Sequence, residues 1–235
     1  MIVVDVEIKK AIRSRTEERL EGIEYCDGWR DFANMGIACV CTYDIVTHLT
    51  RVFLEEDLED FQAYIAGKWT AGFNTVNFDN RLLLEHDIVV DAEHHYDILR
   101  GIWIALDLNP DTFNPRTHGG WGLDAVCQAT LGIRKTGHGA LAPVWWQQGK
   151  RGKVIDYCCN DVWMEGSLLL HVLQGKPVFN HPGSLVDGLH PVVPDEWASL
   201  SVTAKGRQYG AGQITSSETT VSATSAIPGG LGIVR

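Results

Sequence analysis

Val3-Val4-Asp5-Val6-Glu7-Ile8 is an apolar run broken only by two carboxylates at i and i+2. In a β-strand that spacing puts both acids on one face, roughly 6 to 7 Å apart along the chain. Two acids side by side on a buried strand repel one another and resist losing water. The stretch therefore predicts a divalent-metal site built on a first strand, with further ligands supplied from elsewhere. Asp-x-Glu alone carries little, because the chain repeats it at Asp57/Glu59 and Asp91/Glu93. The former opens a predicted helix, where i and i+2 do not face one another, and the latter falls in a polar turn, so both read as solvated surface.

The chain has 235 residues, 45% of them hydrophobic and 21% charged, enough for one substantial core and a modest extension. Its net charge of −10 argues against coating nucleic acid by general electrostatics, but is compatible with a nuclease whose acids are neutralised by bound cations. The six cysteines, Cys26, Cys39, Cys41, Cys127, Cys158 and Cys159, show no CxxC spacing. They predict reduced, buried thiols rather than zinc ligands. No basic segment followed by an apolar one opens the chain, and no apolar stretch approaches the ~20 residues of a membrane helix. The expectation is a soluble, cytoplasmic protein with no membrane partner.

Working outward from the first strand, Lys9 to Asp31 is polar, mixed in charge and without clear period, and predicts a long loop where a substrate could touch it. Met35 to Tyr43 and Thr50 to Leu54 read as the next two strands, making an antiparallel meander with the first. The acids from Glu55 to Asp60 open a helix that runs to Ala66. Trp69 to Phe73 predicts a short strand, followed by a turn through Asp79 and a helix over Asn80 to His86. His94 to Leu99 reads as a brief strand carrying Asp97, which is weighed as a cap or turn residue ahead of a metal ligand. Leu123 to Leu131 predicts a helix capped by Asp124 or the turn before it.

Arg134, Lys135, His138, Trp145, Trp146, Lys150, Arg151 and Lys153 then form a basic and aromatic patch. Trp145 and Trp146 could stack bases or plug the core in equal measure. His94, His95 and His138 read as solvated or capping residues, and Cys158 and Cys159 as packing. The longest helical pattern runs from Val154 to Gln174, ended by Gly175 and Pro177. On it Tyr157 and Asp161 are four apart and share a face directed at the sheet. The chain divides into residues 1–178 and an extension, 179–235, whose Ser/Thr/Gly-rich end from Ser199 predicts a poorly ordered tail, with a strand over Trp197 to Val202 as the alternative.

The ordered set Asp5-x-Glu7, Gly72-Phe73-Asn74-x-x-x-Phe78-Asp79 and Tyr157-x-x-x-Asp161 resembles the three exonuclease motifs of the DEDD superfamily, in its tyrosine-bearing branch. The likeness covers roughly residues 1 to 175. Leu123-Asp124-Ala125 and Leu131-Gly132-Ile133-Arg134-Lys135 also resemble the connecting segment of exonucleases related to the family-B DNA polymerase proofreading domain. The resemblance implies an α/β, RNase H-like fold, with a mixed five-stranded sheet flanked by helices, and removal of nucleotides from 3′ ends of nucleic acid, DNA ahead of RNA. It implies that Asp5, Glu7, Asp79 and Asp161 hold two Mg²⁺ or Mn²⁺ about 4 Å apart. Tyr157 would orient the attacking water, and Asn74 and Phe78 would lie beside the terminal nucleotide. Trp145, Lys150 and Arg151 are further candidates for substrate binding, and a polymerase or other replication or repair protein is a candidate partner in trans. Many members carry Thr after the first motif's Glu. Ile8 stands there in this chain, so any side-chain hydroxyl contact is missing while a backbone contact could survive.

Two other readings stay open. One is a catalytically silent nucleic-acid-binding or partner-docking module of the same fold, suggested by the basic and aromatic patch. The other is an endonuclease, which the tyrosine motif disfavours.

Overall fold

The computed structural model describes residues 1–13, 18–181 and 188–198. The tail expected from Ser199 lies outside the described residues. Strand β1 is Ile2–Ile8. It is followed by the two-residue strands β2 (Ala11–Ile12) and β3 (Tyr25–Cys26), helix α1 (Phe32–Met35), β4 (Ile37–Asp44), β5 (Leu49–Phe53) and α2 (Leu58–Ile65). Next come β6 (Thr70–Gly72), α3 (Asp79–Leu84), β7 (His95–Asp97), α4 (Ile98–Ala105), α5 (Leu123–Leu131), α6 (Ala142–Gln147), α7 (Arg151–Leu173) and α8 (Asp195–Ala198).

The main sheet has five strands in the order β5-β4-β1-β6-β7. β1 runs antiparallel to β4, which runs antiparallel to β5; β6 is parallel to β1 and β7 parallel to β6. This α/β architecture makes β1 the central strand and explains its composition. A strand covered on both faces reads as a near-continuous apolar run, and only Asp5 and Glu7 break it. Ile2, Val4, Val6 and Ile8 point into a core with Phe61, Leu82 and Leu83. Val3, Cys39, Cys41 and Ala71 point into the other core with Val162, Leu168 and Leu169. Asp5 and Glu7 share the parity of Val3 and therefore lie on the side that α7 covers.

The expectation for residues 9–31 needs correction, since β2 and β3 pair there in parallel. Gln147 of α6 ties this arm down, its amide donating to the Lys9 and Glu24 carbonyls and its Oε1 accepting from Glu24 N. The first turn of α2 is a 3-10 turn over Glu55–Asp57. α5 has Gly122 at its start with no side-chain cap, so Asp124 does not cap it. Trp197 sits in a helical turn rather than a strand, 1% exposed and edge-on to Trp69. Its indole has enough apolar surface to anchor the segment against β6 and β7, and burial won over the local β-forming pattern. Among the described residues, no helix is long and apolar enough to cross a membrane.

Candidate metal and nucleic-acid site

Three elements bring carboxylates to one place. β1 presents Asp5 and Glu7; α7, which crosses that face, presents Asp161. Ligand oxygens of these three lie within 4.8 Å of one another. Asp79 arrives from the first residue of α3, and its Oδ1 accepts a hydrogen bond of 3.1 Å from the backbone N–H of Val6. β6 has already ended at Gly72, so this side chain takes a place on β1 that a neighbouring strand would otherwise fill. Glu7, Asp79 and Asp161 are all buried.

A fifth carboxylate, Glu165, lies one helical turn beyond Asp161 and is 2% exposed. Its Oε2 and Asp161 Oδ1 are buried with no hydrogen-bond partner among the described residues. Oε2 lies 3.6 Å from where a Cβ on Gly72 would stand. That Cβ would also meet Val4 O at 2.7 Å and Thr75 Cγ2 at 2.4 Å, so only glycine lets the end of β6 close against β1 here.

The electrostatics follow from this crowding. Burial and then the neighbouring Asp161 push Asp5 up to about 7. Burial first, and Asp5 second, hold Glu7, Asp79 and Glu165 well above the usual carboxylate range. Burial also raises Asp161, against the opposing pull of Lys135. Lys135 reaches in from the loop after α5, its Nζ paired with Asp161 Oδ2 and donating to Tyr157 OH at 3.1 Å. Burial works against its charge, but Asp161, Tyr157 and Asp5 together keep it above the ordinary lysine range. Asp124 holds the Lys135 backbone N–H at 2.7 Å, so that residue positions the lysine and does not cap α5. A set of five acids facing one ammonium group is short of positive charge. Oxygen-only donors of this kind suit Mg²⁺ or Mn²⁺, and the unpartnered Asp161 Oδ1 is a free ligand position.

The loop from Phe73 to Phe78 is clamped from β7. Asp97 Oδ1 accepts from Asn74 N at 2.9 Å and Oδ2 from Val76 N at 3.0 Å, while Oδ1 also caps α4 through Leu99 N at 3.0 Å. Asp97 is thus the cap and turn residue expected. Asn74 takes a left-handed conformation, φ 66°, which asparagine tolerates. His95 bridges Thr70 Oγ1 and Thr75 Oγ1 at 2.9 and 2.7 Å, and burial pushes it down to about 4, so it is a neutral clamp and not a solvated side chain. His138 caps a 3-10 turn, and His94 pairs with Asp91.

A cleft of about 1550 Å³ opens over the acids of β1, α3 and α7. Asn74 and Phe78 lie in its wall with Asp5, Glu7, Asp79, Tyr157 and Asp161. Phe78 packs edge-on against Trp29, a residue 70% exposed at the cleft. Arg13 and Arg19 add cations to the lining. Ile8 also lines the cleft, just past a register shift between Glu7 and Ile8.

Trp145, Lys150 and Arg151 are not in that lining. Trp145 stands edge-on to the Tyr157 ring at 6.4 Å and supports it from behind. Lys150 donates to Gln148, Arg151 lies over Trp146, and Lys153 over Trp145. The patch is therefore split: Lys135 faces inward, and Arg151 and Lys153 cover tryptophans. The spacing missed this inward turn of Lys135 because no local period marks it. Glu165 was accessible, since Tyr157, Asp161 and Glu165 repeat at four and stay on one face. Trp29 carried only the signal of a large aromatic in a polar loop.

No family model matches the chain, and none of the curated proteins compared with it does.

Proposed function

We propose that this protein is a metal-dependent 3′–5′ exonuclease with an RNase H-like sheet, the β1, β4 and β5 strands being its antiparallel meander. The observation that carries the reading is the convergence of Asp5, Glu7 and Asp161 oxygens within 4.8 Å, with Asp79 fastened to β1 beside them. When bound, two Mg²⁺ or Mn²⁺ supply an activated water and neutralise charge at the leaving oxygen. Asp5, Glu7, Asp79 and Asp161 hold them. The Tyr157 hydroxyl, fixed by Lys135 and backed by Trp145, orients the attacking water. Phe78 and the exposed Trp29 offer aromatic faces to the terminal base, and Arg13 and Arg19 attract the backbone phosphates. Single-stranded DNA is the preferred substrate in this reading. Proofreading for a polymerase in trans, repair and nucleotide scavenging would each use this activity.

The test is a time course on 3′-labelled DNA and RNA oligonucleotides, single- and double-stranded, with Mg²⁺, with Mn²⁺ and with chelator. Shortening from the 3′ end in metal and none in chelator is expected. Asp5→Ala and Asp161→Ala should abolish it while the circular dichroism spectrum is kept; undiminished cleavage by Asp161→Ala would sink the assignment. One observation favours the silent binding module: Lys135 already pairs with Asp161. Tight single-strand binding with no metal-dependent turnover would decide for that module.

A further inference from the structure

Three of the six cysteines converge and a fourth flanks them, although no sequence spacing announces it. Cys39 and Cys41 are two apart on β4, so both face α7. They lie opposite Glu7 and Asp5 in the β1–β4 register. Cys158 on α7 meets them, and the three Sγ atoms lie within 4.8 Å of one another, all on buried residues. Cys159 brings a fourth sulfur 3.6 Å from Cys41 Sγ and is only half-buried. At the other edge, Cys158 Sγ is 3.3 Å from Asp5 Oδ2. The sulfurs therefore sit beside the carboxylates, not among them.

A tetrahedral thiolate site with metal–sulfur bonds of about 2.3 Å spaces its sulfurs roughly 3.8 Å apart. The 3.6 Å pair already has that spacing, and the 4.8 Å limit on the trio leaves about 1 Å to contract. Buried thiols also serve as small apolar filler. Cys26 and Cys127 fit that description, turning to the carbonyls of Ala11 and Met164. Filling space does not require three sulfurs from two elements to gather within 4.8 Å, with a fourth against one of them.

We propose that Cys39, Cys41 and Cys158, with Cys159 as fourth ligand, form a site for a thiophilic divalent cation of the zinc class. Thiolates select such an ion, while the neighbouring oxygens of Asp5, Glu7, Asp79 and Asp161 select hard cations. Each ligating thiol releases its proton to solvent as the ion binds. Cys159 at the rim gives the ion its way in.

The full chain, reduced and stripped with chelator, is titrated with Co²⁺ in excess Mg²⁺. A sulfur-to-cobalt charge-transfer band saturating at a single equivalent is expected. Cys39→Ser and Cys158→Ser should each lose most of that band, and Asp5→Asn should keep it. Because buried serines can compromise folding, X-ray absorption on the wild-type protein loaded with Zn²⁺ in excess Mg²⁺ gives a second readout. Sulfur scatterers at about 2.3 Å are expected there, one fewer in Cys159→Ser. The absence of a charge-transfer band at saturating Co²⁺, or a zinc shell of oxygen and nitrogen alone, would overturn the site. A sulfur count unchanged in Cys159→Ser would overturn its place as fourth ligand.

Discussion

Glu165 and Lys135 are the two side chains that most change the chemistry expected of the four motif acids. Burial holds the Glu165 carboxyl well above the usual carboxylate range and so favours its neutral form, which Glu165→Gln copies. Its thermal unfolding without metal should match wild type. Mn²⁺ affinity, followed by the loss of the free-ion paramagnetic resonance signal, should fall about 10-fold, as when a supporting group around a metal is removed. Equal affinity would make Glu165 a packing residue. Lys135→Met removes the only ammonium paired with Asp161 among the described residues. Breaking a buried pair leaves a charge uncompensated, and a loss of about 3 kcal/mol is expected in urea unfolding without metal, at the low end because a quarter of the lysine side chain is exposed. Added Mn²⁺ should restore most of it by taking over the neutralising role.

At the level of elements, Asp97 joins β7, α4 and the Asn74 loop through one carboxylate. Asp97→Ala removes a helix cap worth about 1 kcal/mol and strands two loop amides, so a loss of about 3 kcal/mol in urea unfolding is expected. A loss under about 1 kcal/mol would mean that the loop holds itself. β1, β4, β5 and α7 were legible in the sequence because their periods are local: alternation or continuous burial for strands, and three-and-four spacing for the helix. Asp5 and Glu7 stood out because they interrupt such a run. What stayed hidden depends on partners far along the chain. The pairing of β2 with β3 depends on an anchor at Gln147, more than 100 residues away, and the thiol group requires β4 to meet α7. The basic patch looked continuous only because sequence does not show that Lys135 turns inward while Arg151 and Lys153 lie on tryptophans.

For the whole molecule, the raised acids tie stability to pH and to cations. Asp5 moves from 3.8 to about 7, and its neighbours move the same way, so the folded protein keeps protons that the unfolded chain releases. That contribution is full below the unfolded value and is lost as pH rises through the folded one. Without metal, the melting temperature should therefore fall between about pH 5 and about pH 8, by about 2–4 °C for each kcal/mol lost. Mg²⁺ or Mn²⁺ added at the higher pH should recover it. A melting temperature that is flat across this range, and indifferent to cations, would contradict the crowding of acids in the cleft.

The bond from Val6 N–H to Asp79 Oδ1 ties one backbone proton at the centre of the sheet to one acid of the cleft. Its nuclear magnetic resonance frequency is thus a built-in gauge of what that acid is doing. Diamagnetic Mg²⁺ drawing charge from Asp79 should shift the Val6 amide peak, and Asp79→Asn should silence the response while leaving the rest of the β1 spectrum recognisable. Occupancy of the cleft could then be followed without label, substrate or turnover.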